Sequence, residues 1–430
     1  MAIITGGGAF ALDFSGGDIN SYSDLFLTSR TANYVKGDYR AYGSPNATVE
    51  FFGNRFAFSG NGEPIGGNIT RIRETTFGVV QVDIQGISVP VATLRYWVTN
   101  SLDEESQAFL LRGSDTITAG RFDDFLIGYD GDDVVNAGAG DDDVEGSSGR
   151  DTIIGSDGLD TAWYYGTPQE YKIVNWGDLA AVLPLSGSAF TQDGIDKLMS
   201  TEQIGFYGTF DVVARGTQNF SPLEYIASHQ DLSALIGANS SAGFDHYIYS
   251  GFYEGRQTTF SALDYLAVNA DLRGAFGANV DAAAAHYIAA GRFEGRQTDF
   301  DGLSYIASYP DLVRAYGVDE ASGVQHYITS GAREGRAVTF DGLQYIASYS
   351  DLISAFGANE RSGALHYLAS GAREGRSKDR FDAEQYLENY ADLRAAFGAD
   401  VDAATRHYIS SGFYEGRNDD AIRAASDFVI

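Results

Sequence analysis

The sequence predicts a multidomain chain. An N-terminal β-rich domain, β-sandwich-like or α+β, comes first; a parallel β-roll with a β cap comes next; a C-terminal all-α repeat array comes last. Three observations predict this order. Alternating apolar and polar runs mark strands before residue 100. Six consecutive nine-residue units run from Leu110 to Trp163. Five units of about 40 residues follow from Phe220. The expected boundaries are 1–109, 110–163 for the roll, 164–219 for cap and linker, 220–417 for the repeats, and 418–430 for a tail.

In the N-terminal region, TVEFFGNRFAFSG (48–60) reads as a hairpin turning at Gly53-Asn54. NITRIRET and VVQVDI, within 68–84, read as a second strand pair. PVATLRYWVTNSL (90–102) reads as a helix with Pro90 at its start. The first 45 residues, rich in glycine and tyrosine, give no clear element. An extended, glycine-rich N-terminus offers backbone that a second subunit can pair with.

The nonamers read LLRGSDTIT, AGRFDDFLI, GYDGDDVVN, AGAGDDDVE, GSSGRDTII and GSDGLDTAW. Their pattern is Gly-Gly-x-Gly-x-Asp-x-apolar-x. Glycine at the fourth place (Gly113, Gly131, Gly140, Gly149, Gly158) permits a positive-φ turn; the second unit has Phe122 there. The eighth place holds Ile117, Leu126, Val135, Val144, Ile153 and Ala162, expected to point inward from a short strand. The sixth place is always aspartate: Asp115, Asp124, Asp133, Asp142, Asp151 and Asp160. One turn of the roll takes two nonamers. Asp115, Asp133 and Asp151 then share one edge, and Asp124, Asp142 and Asp160 the other.

Stacked strands lie about 4.8 Å apart, so like-charged carboxylates at that spacing repel by roughly 3–4 kcal/mol per pair at an effective dielectric of 20. A hard cation removes that repulsion. Calcium accepts the mixture of carboxylate and carbonyl oxygen available here, with the carbonyls of Gly131, Gly140, Gly149 and Gly158 as further donors. Residues 110–163 hold twelve Asp, one Glu and three Arg, a net charge of −10. Loops 128–133 with 146–151, and 137–142 with 155–160, make the best pairs. Two to four bound calcium ions are expected.

The forty-residue units begin at Phe220, Phe260, Phe300, Phe340 and Phe381. Ser221, Ser261, Asp301, Asp341 and Asp382 are expected to cap a first helix. Asp231, Asp271, Asp311, Asp351 and Asp392 are expected to cap a second, which stops at Gly237, Gly277, Gly317, Gly357 and Gly398. A third, containing His-Tyr, is expected to stop at Gly251, Gly291, Gly331, Gly371 and Gly412. Units of this size bury their apolar faces by stacking, as a solenoid or a compact α array.

Five of the six histidines (His246, His286, His326, His366, His407) fall at one place of the repeat, and the sixth is His229. Such periodic residues read as packing groups; no cysteine and no second histidine accompanies each one to make a zinc site. Each unit also ends in Glu-Gly-Arg. That sets Arg256, Arg296, Arg336, Arg376 and Arg417 at a regular spacing. They read as ion-pairing groups between neighbouring repeats, or as a row of guanidinium groups for phosphate or acidic sugars.

Composition narrows the partners. Net charge is −30 and the sequence pI about 4.3, which opposes binding to nucleic acid. There are no cysteines, and no apolar run is long enough to span a membrane. The first residues carry no basic and apolar signal segment.

The nonamers resemble the RTX repeats of proteins exported by bacterial type I secretion. DGIDKLMSTEQIGF (193–206) resembles the β-rich cap that often follows RTX rolls. Asp427-Phe428-Val429-Ile430, one acidic residue and three apolar ones, resembles the extreme C-terminus of several type I substrates. The forty-residue units are similar to units in other secreted RTX proteins. The resemblance implies calcium as cofactor, the type I apparatus as partner, and a secreted or surface location on a Gram-negative bacterium.

No catalytic residue is assigned, and a non-enzyme is expected. The absence of HExxH excludes the serralysin type of RTX protease, and the absence of GxSxG excludes the RTX lipase type. No histidine outside the repeats is available for a Ser-His-Asp triad in residues 1–109. The leading expectation is a calcium-folded, self-assembling structural protein: S-layer-like, filamentous, or part of a biofilm matrix. An adhesin or glycan-binding module, with lipopolysaccharide or exopolysaccharide as ligand, is the alternative. A polysaccharide-acting enzyme within 1–109 is the third, and that region is short for one.

Overall fold

A computed structural model describes residues 2–6, 25–39, 47–100, 102–185, 187–216 and 219–420. The tail motif at 427–430 lies outside the described residues. The chain divides into two compact units. One comprises Met1–Pro222 with Phe244–Arg256; the other comprises Leu223–Gly243 with Gln257–Ile430.

The first unit holds seventeen strands in chain order. They are β1 (Ile3–Gly6), β2 (Leu25–Thr31), β3 (Tyr34–Tyr39), β4 (Ala47–Phe58), β5 (Pro64–Thr76), β6 (Val79–Pro90), β7 (Thr116–Thr118), β8 (Phe125–Ile127), β9 (Val134–Ala139), β10 (Asp143–Glu145), β11 (Thr152–Asp157), β12 (Thr161–Tyr164), β13 (Tyr171–Trp176), β14 (Leu179–Pro184), β15 (Asp196–Met199), β16 (Gln203–Phe206) and β17 (Asp211–Ala214). Strands β2 to β6 form an antiparallel meander. The β5–β6 connection is a two-residue turn with both φ positive, at Phe77 and Gly78, which suits the twist of a hairpin.

Helix α1 (Val91–Asn100) follows β6 as expected and buries Val91 and Trp97. It packs on β5 and β6, so this region is α+β rather than a sandwich. A short α2 (Asp103–Leu110) leads into the roll. Bidentate Arg71–Asp83 pairing, joined by Arg73, ties β5 to β6; these guanidinium groups hold the Asp83 carboxyl below its ordinary range.

The expected hairpin at Gly53-Asn54 is absent. β4 runs straight through it, with a register shift against β5 at this point. The dipeptide marks a bulge instead: a Cβ on Gly53 would collide with the Asn68 carbonyl of β5, so glycine permits close strand approach.

The N-terminal strands and the roll share one twelve-stranded sheet, because β1 lies between β6 and β7. It is antiparallel to β6 and parallel to β7, with Ile4 level with Ile117. The roll's second face is a five-stranded sheet, β17-β16-β12-β10-β8. Its strands alternate with those of the first face, and rungs on one face are 18 residues apart along the chain, as two nonamers per turn require.

In the second unit, each repeat from Phe260 onward supplies three short helices followed by one π turn, as in Gly302–Ser308, Pro310–Tyr316, Glu320–His326 and Tyr327–Gly331. First helices pack on the third helix of their own repeat and of the next one, which makes a solenoid. Ser261, Asp301, Asp341 and Asp382 cap first helices, accepting from backbone N–H groups.

Two expectations fail. Asp271, Asp311, Asp351 and Asp392 lie inside the first turn of the second helix, and the preceding Asn269, Tyr309, Tyr349 and Tyr390 occupy the cap position. Nor does the third helix stop at Gly291, Gly331, Gly371 or Gly412. The chain continues helically through them as a π turn. The left-handed stop comes four residues later, at Gly295, Gly335, Gly375 and Gly416, with φ between 65° and 74°. The earlier glycines serve packing: a Cβ on Gly331 would collide with the buried Tyr305 hydroxyl.

Candidate metal centre

Every roll strand presents its central apolar residue inward. Ile117, Leu126, Val135, Val144, Ile153 and Ala162 are all buried. The residues between one strand and the next form the connecting loops, where glycine with positive φ lets successive loops stack closely. A Cβ on Gly149 (φ +149°), for example, would collide with the carbonyl of Gly131.

The six aspartates project from these loops and are buried. Each is joined to the next coil by a main-chain hydrogen bond. The amide of Asp115 donates to Asp133 Oδ1 at 2.6 Å, and that of Asp133 to Asp151 Oδ1 at 2.8 Å. On the other edge, Asp124 donates to Asp142 Oδ1 at 2.8 Å and Asp142 to Asp160 Oδ1 at 3.0 Å. The ladder uses one oxygen of each carboxylate. The other, Oδ2, is buried and meets no hydrogen-bond donor on Asp133, Asp142, Asp151 and Asp160. An unpaired carboxylate oxygen out of water is costly.

Those oxygens face hollows that glycine keeps open. A Cβ on Gly128 would sit 2.7 Å from Asp133 Oδ2 and 2.7 Å from the Gly146 carbonyl oxygen. A Cβ on Gly146 would sit 2.5 Å from Asp151 Oδ2. Each hollow therefore has a carboxylate wall, and a main-chain carbonyl shares it where the next loop overlies it. Such a donor set is all oxygen. It suits calcium, which accepts six to eight oxygens at roughly 2.3–2.6 Å in irregular geometry, better than metals that favour nitrogen or sulfur. Among the described residues, no three His, Cys, Asp or Glu side chains converge on one point. The side chains thus supply at most two carboxylates per hollow, and carbonyl oxygens must complete the shell.

Electrostatics point the same way. Burial pushes Asp133 up to about 7, against the opposing hydrogen bond from the Asp115 amide and with added repulsion from Asp115. Burial likewise pushes Asp142 and Asp160 up to about 6. Asp151 and Asp196 are a tightly coupled buried pair; both are raised, chiefly by burial, and Asp196 adds repulsion to Asp151. Without a cation these groups take up protons at higher pH than an ordinary aspartate does.

A model of the RTX calcium-binding nonapeptide repeat matches residues 111–144 and 136–163, in four copies. The protein carries an RTX calcium-binding roll. No curated protein matches the chain as a relative. RTX proteins are typically exported by type I secretion. No helix among the described residues is long and apolar enough to cross a membrane.

The RTX ladder does not end at residue 163. The chain leaves the roll after β12 and makes the β13–β14 hairpin and α3 (Gly187–Gln192). It then returns. β15 pairs parallel with β11, and β16 with β12. Asp196 accepts the amide of Asp151 at 3.0 Å, and Glu202 accepts that of Asp160 at 3.2 Å. Leu198 and Ile204 take the inward places. Sequence reading placed these residues in the cap. The missed signal was Gly194-x-Asp196-x-Leu198, which has the spacing of Gly149-x-Asp151-x-Ile153.

The five repeat arginines are all engaged in ion pairs. Arg336 reaches Asp311 at 2.8 Å and Glu334 at 2.6 Å, and its guanidinium lies over the Tyr309 ring. Arg296, Arg376 and Arg417 make the same two pairs, with Asp271, Asp351 and Asp392 and the glutamate of their own Glu-Gly-Arg. Arg256 pairs with Glu254. Each Arg–Asp pair of the last four repeats lies within one repeat rather than between neighbours. An external anion would compete with two carboxylates.

Four of the histidines are packing groups. His286, His326, His366 and His407 bond through Nδ1 to Tyr265, Tyr305, Tyr345 and Tyr386 at 2.9–3.0 Å.

Proposed function

We propose that this is an exported, non-enzymatic protein whose β unit is folded by calcium and which then assembles with copies of itself outside the cell, as an S-layer-like lattice, a filament or a matrix component. The observation that carries the folding step is the stack of buried aspartates, of which Asp133, Asp142, Asp151 and Asp160 each keep one oxygen without a donor. In a cytosol low in calcium these carboxylates repel and the roll stays open. In millimolar calcium the same carboxylates are bridged, and binding free energy becomes folding free energy. Calcium titration followed by circular dichroism tests this; spectra identical in chelator and in millimolar calcium would overturn it. Self-assembly is supported by the repeat architecture and by the exposed aromatic residues of the array, and electron microscopy with calcium reads it out as sheets or filaments.

A second reading, adhesion to a glycan, has one observation in its favour. Phe293 and Tyr414 occupy equivalent places in two repeats and are 74% and 64% exposed, which offers aromatic surface to a sugar ring, although the Arg292 guanidinium covers one face of Phe293. Dispersed monomers that bind exopolysaccharide would favour it over assembly. A polysaccharide-acting enzyme finds less support. The cavity of about 520 Å³ under α1 is lined largely by apolar side chains, and its one carboxylate among the described residues, Glu63, is paired with Arg95. Glycoside hydrolysis ordinarily needs two carboxylates. Activity screens on acidic polysaccharides test this third reading.

A further inference from the structure

We propose that the roll carries a further calcium site between loops 146–151 and 191–196, formed only when the chain returns from its excursion through residues 164–190. The proposal rests on the calcium-folding reading above and extends it beyond the six consecutive nonamers.

Four observations carry it. The Asp151 amide donates to Asp196 Oδ1 at 3.0 Å, which repeats the bond made between every earlier pair of rungs. β15 continues the sheet in register, with Ile153 level with Leu198. Gly194 has φ +69°, and a Cβ there would collide with the Gly149 carbonyl, as one on Gly149 would with Gly131. The loop therefore stacks like a nonamer loop despite an excursion of 27 residues, 164–190, that separates it from the sixth nonamer. Finally, Asp196 is 1% exposed, and its Oδ2 makes no well-formed hydrogen bond, with the buried Tyr164 hydroxyl beside it.

Asp151 Oδ2 likewise makes no well-formed hydrogen bond and faces the hollow kept open by Gly146. Two buried carboxylates, each with an oxygen in this state, call for a divalent cation. The donors are oxygens, so the ion is hard, and the irregular loop geometry favours calcium over magnesium.

The other edge shows a companion arrangement. A Cβ on Gly155 would collide with both Asp160 Oδ2 and the Ser200 carbonyl oxygen. That is the carboxylate-plus-carbonyl hollow found at Gly128, with Glu202 replacing the next aspartate. The returning segment thus offers oxygen donors on both edges.

The consequence is a clasp. β14 pairs with β15, so an ion held by Asp151 and Asp196 also fixes the β13–β14 hairpin to the roll.

Asp196→Asn tests the clasp in the full-length protein, because it keeps the Oδ1 acceptor and removes the charge. Native mass spectrometry at saturating calcium should show one ion fewer per chain than wild type, with the remaining ions retained. An unchanged ion count would overturn the proposal. Should the variant not fold, the anomalous difference map of calcium-loaded wild-type crystals decides. A peak between the Asp151 and Asp196 carboxylates supports the site; peaks only between earlier rungs overturn it. A wild-type protein that binds no calcium at all would instead remove the folding switch itself.

Discussion

Two sets of aspartates recur along this chain, and they solve the same electrostatic problem in opposite ways. In the roll, Asp133, Asp142, Asp151 and Asp160 stack on one another with no basic side chain bonded to them, and burial raises them. In the repeats, Asp271, Asp311 and Asp392 each face an arginine 25 residues further on, and that hydrogen-bonded guanidinium lowers them. The array carries its counter-charge in its own sequence. The roll takes its counter-charge from the medium. One unit should therefore fold wherever the chain is, and the other only where calcium is plentiful.

The largest test of that contrast is chelation. Removing calcium should abolish amide-exchange protection in the roll strands β7 to β12 while the helical array keeps its own. Equal loss in both would break the contrast. Next in size is the double substitution Asp133→Ala plus Asp142→Ala. It should raise the calcium midpoint for folding by about tenfold or more, equivalent to roughly 1.4 kcal/mol, and by more than Asp115→Ala does. Calcium titration by circular dichroism gives both midpoints.

Inside the array, Gly331→Ala should cost about 1–3 kcal/mol through collision with the Tyr305 hydroxyl. Tyr305→Phe added to it should recover part of that loss, which denaturant melts can resolve.

Acidity should separate the two regions by sign. In calcium-free protein the raised roll carboxylates favour the folded state below their ordinary value near 3.8, and this contribution is lost as pH rises through about 6–7. The lowered Asp271, Asp311 and Asp392 stabilise the array above the ordinary carboxylate value and lose that effect as pH falls below it. Exchange measured in chelator between pH 8 and 5 should show the roll gaining protection while the array stays level. The smallest effect belongs to Arg336→Ala, whose ion pairs are exposed and screened; its thermal midpoint should fall less than that of Gly331→Ala.

The nonamers were legible because three constraints recur together: a positive-φ glycine, a carboxylate two residues on, and an inward apolar residue two after that. The seventh loop kept all three at Gly194, Asp196 and Leu198, yet the hairpin excursion broke the period that makes the pattern visible. Gly53-Asn54 misled for the opposite reason. A strong turn dipeptide sits inside a strand, where its glycine answers to the neighbouring Asn68 carbonyl, a contact invisible in local sequence. Gly331 and its equivalents are alike in this. They read as helix stops, but the constraint on them comes from a tyrosine 26 residues earlier. Periodicity reveals that a position matters, not which neighbour makes it matter. The arginine row is the same case, since the aspartate partners of Arg296, Arg336, Arg376 and Arg417 lie 25 residues back.

The amide-to-carboxylate ladder also has a direction. Every rung lends its N–H to the carboxylate of the rung after it, so no aspartate is fully set until its predecessor is in place. Sites coupled in this way behave as a one-dimensional lattice with nearest-neighbour interactions. Occupancy of one hollow orders the loop that forms half of the next. The binding isotherm should therefore be sigmoidal, with a Hill coefficient above one, and the roll should respond to a narrow interval of calcium activity rather than in proportion to it.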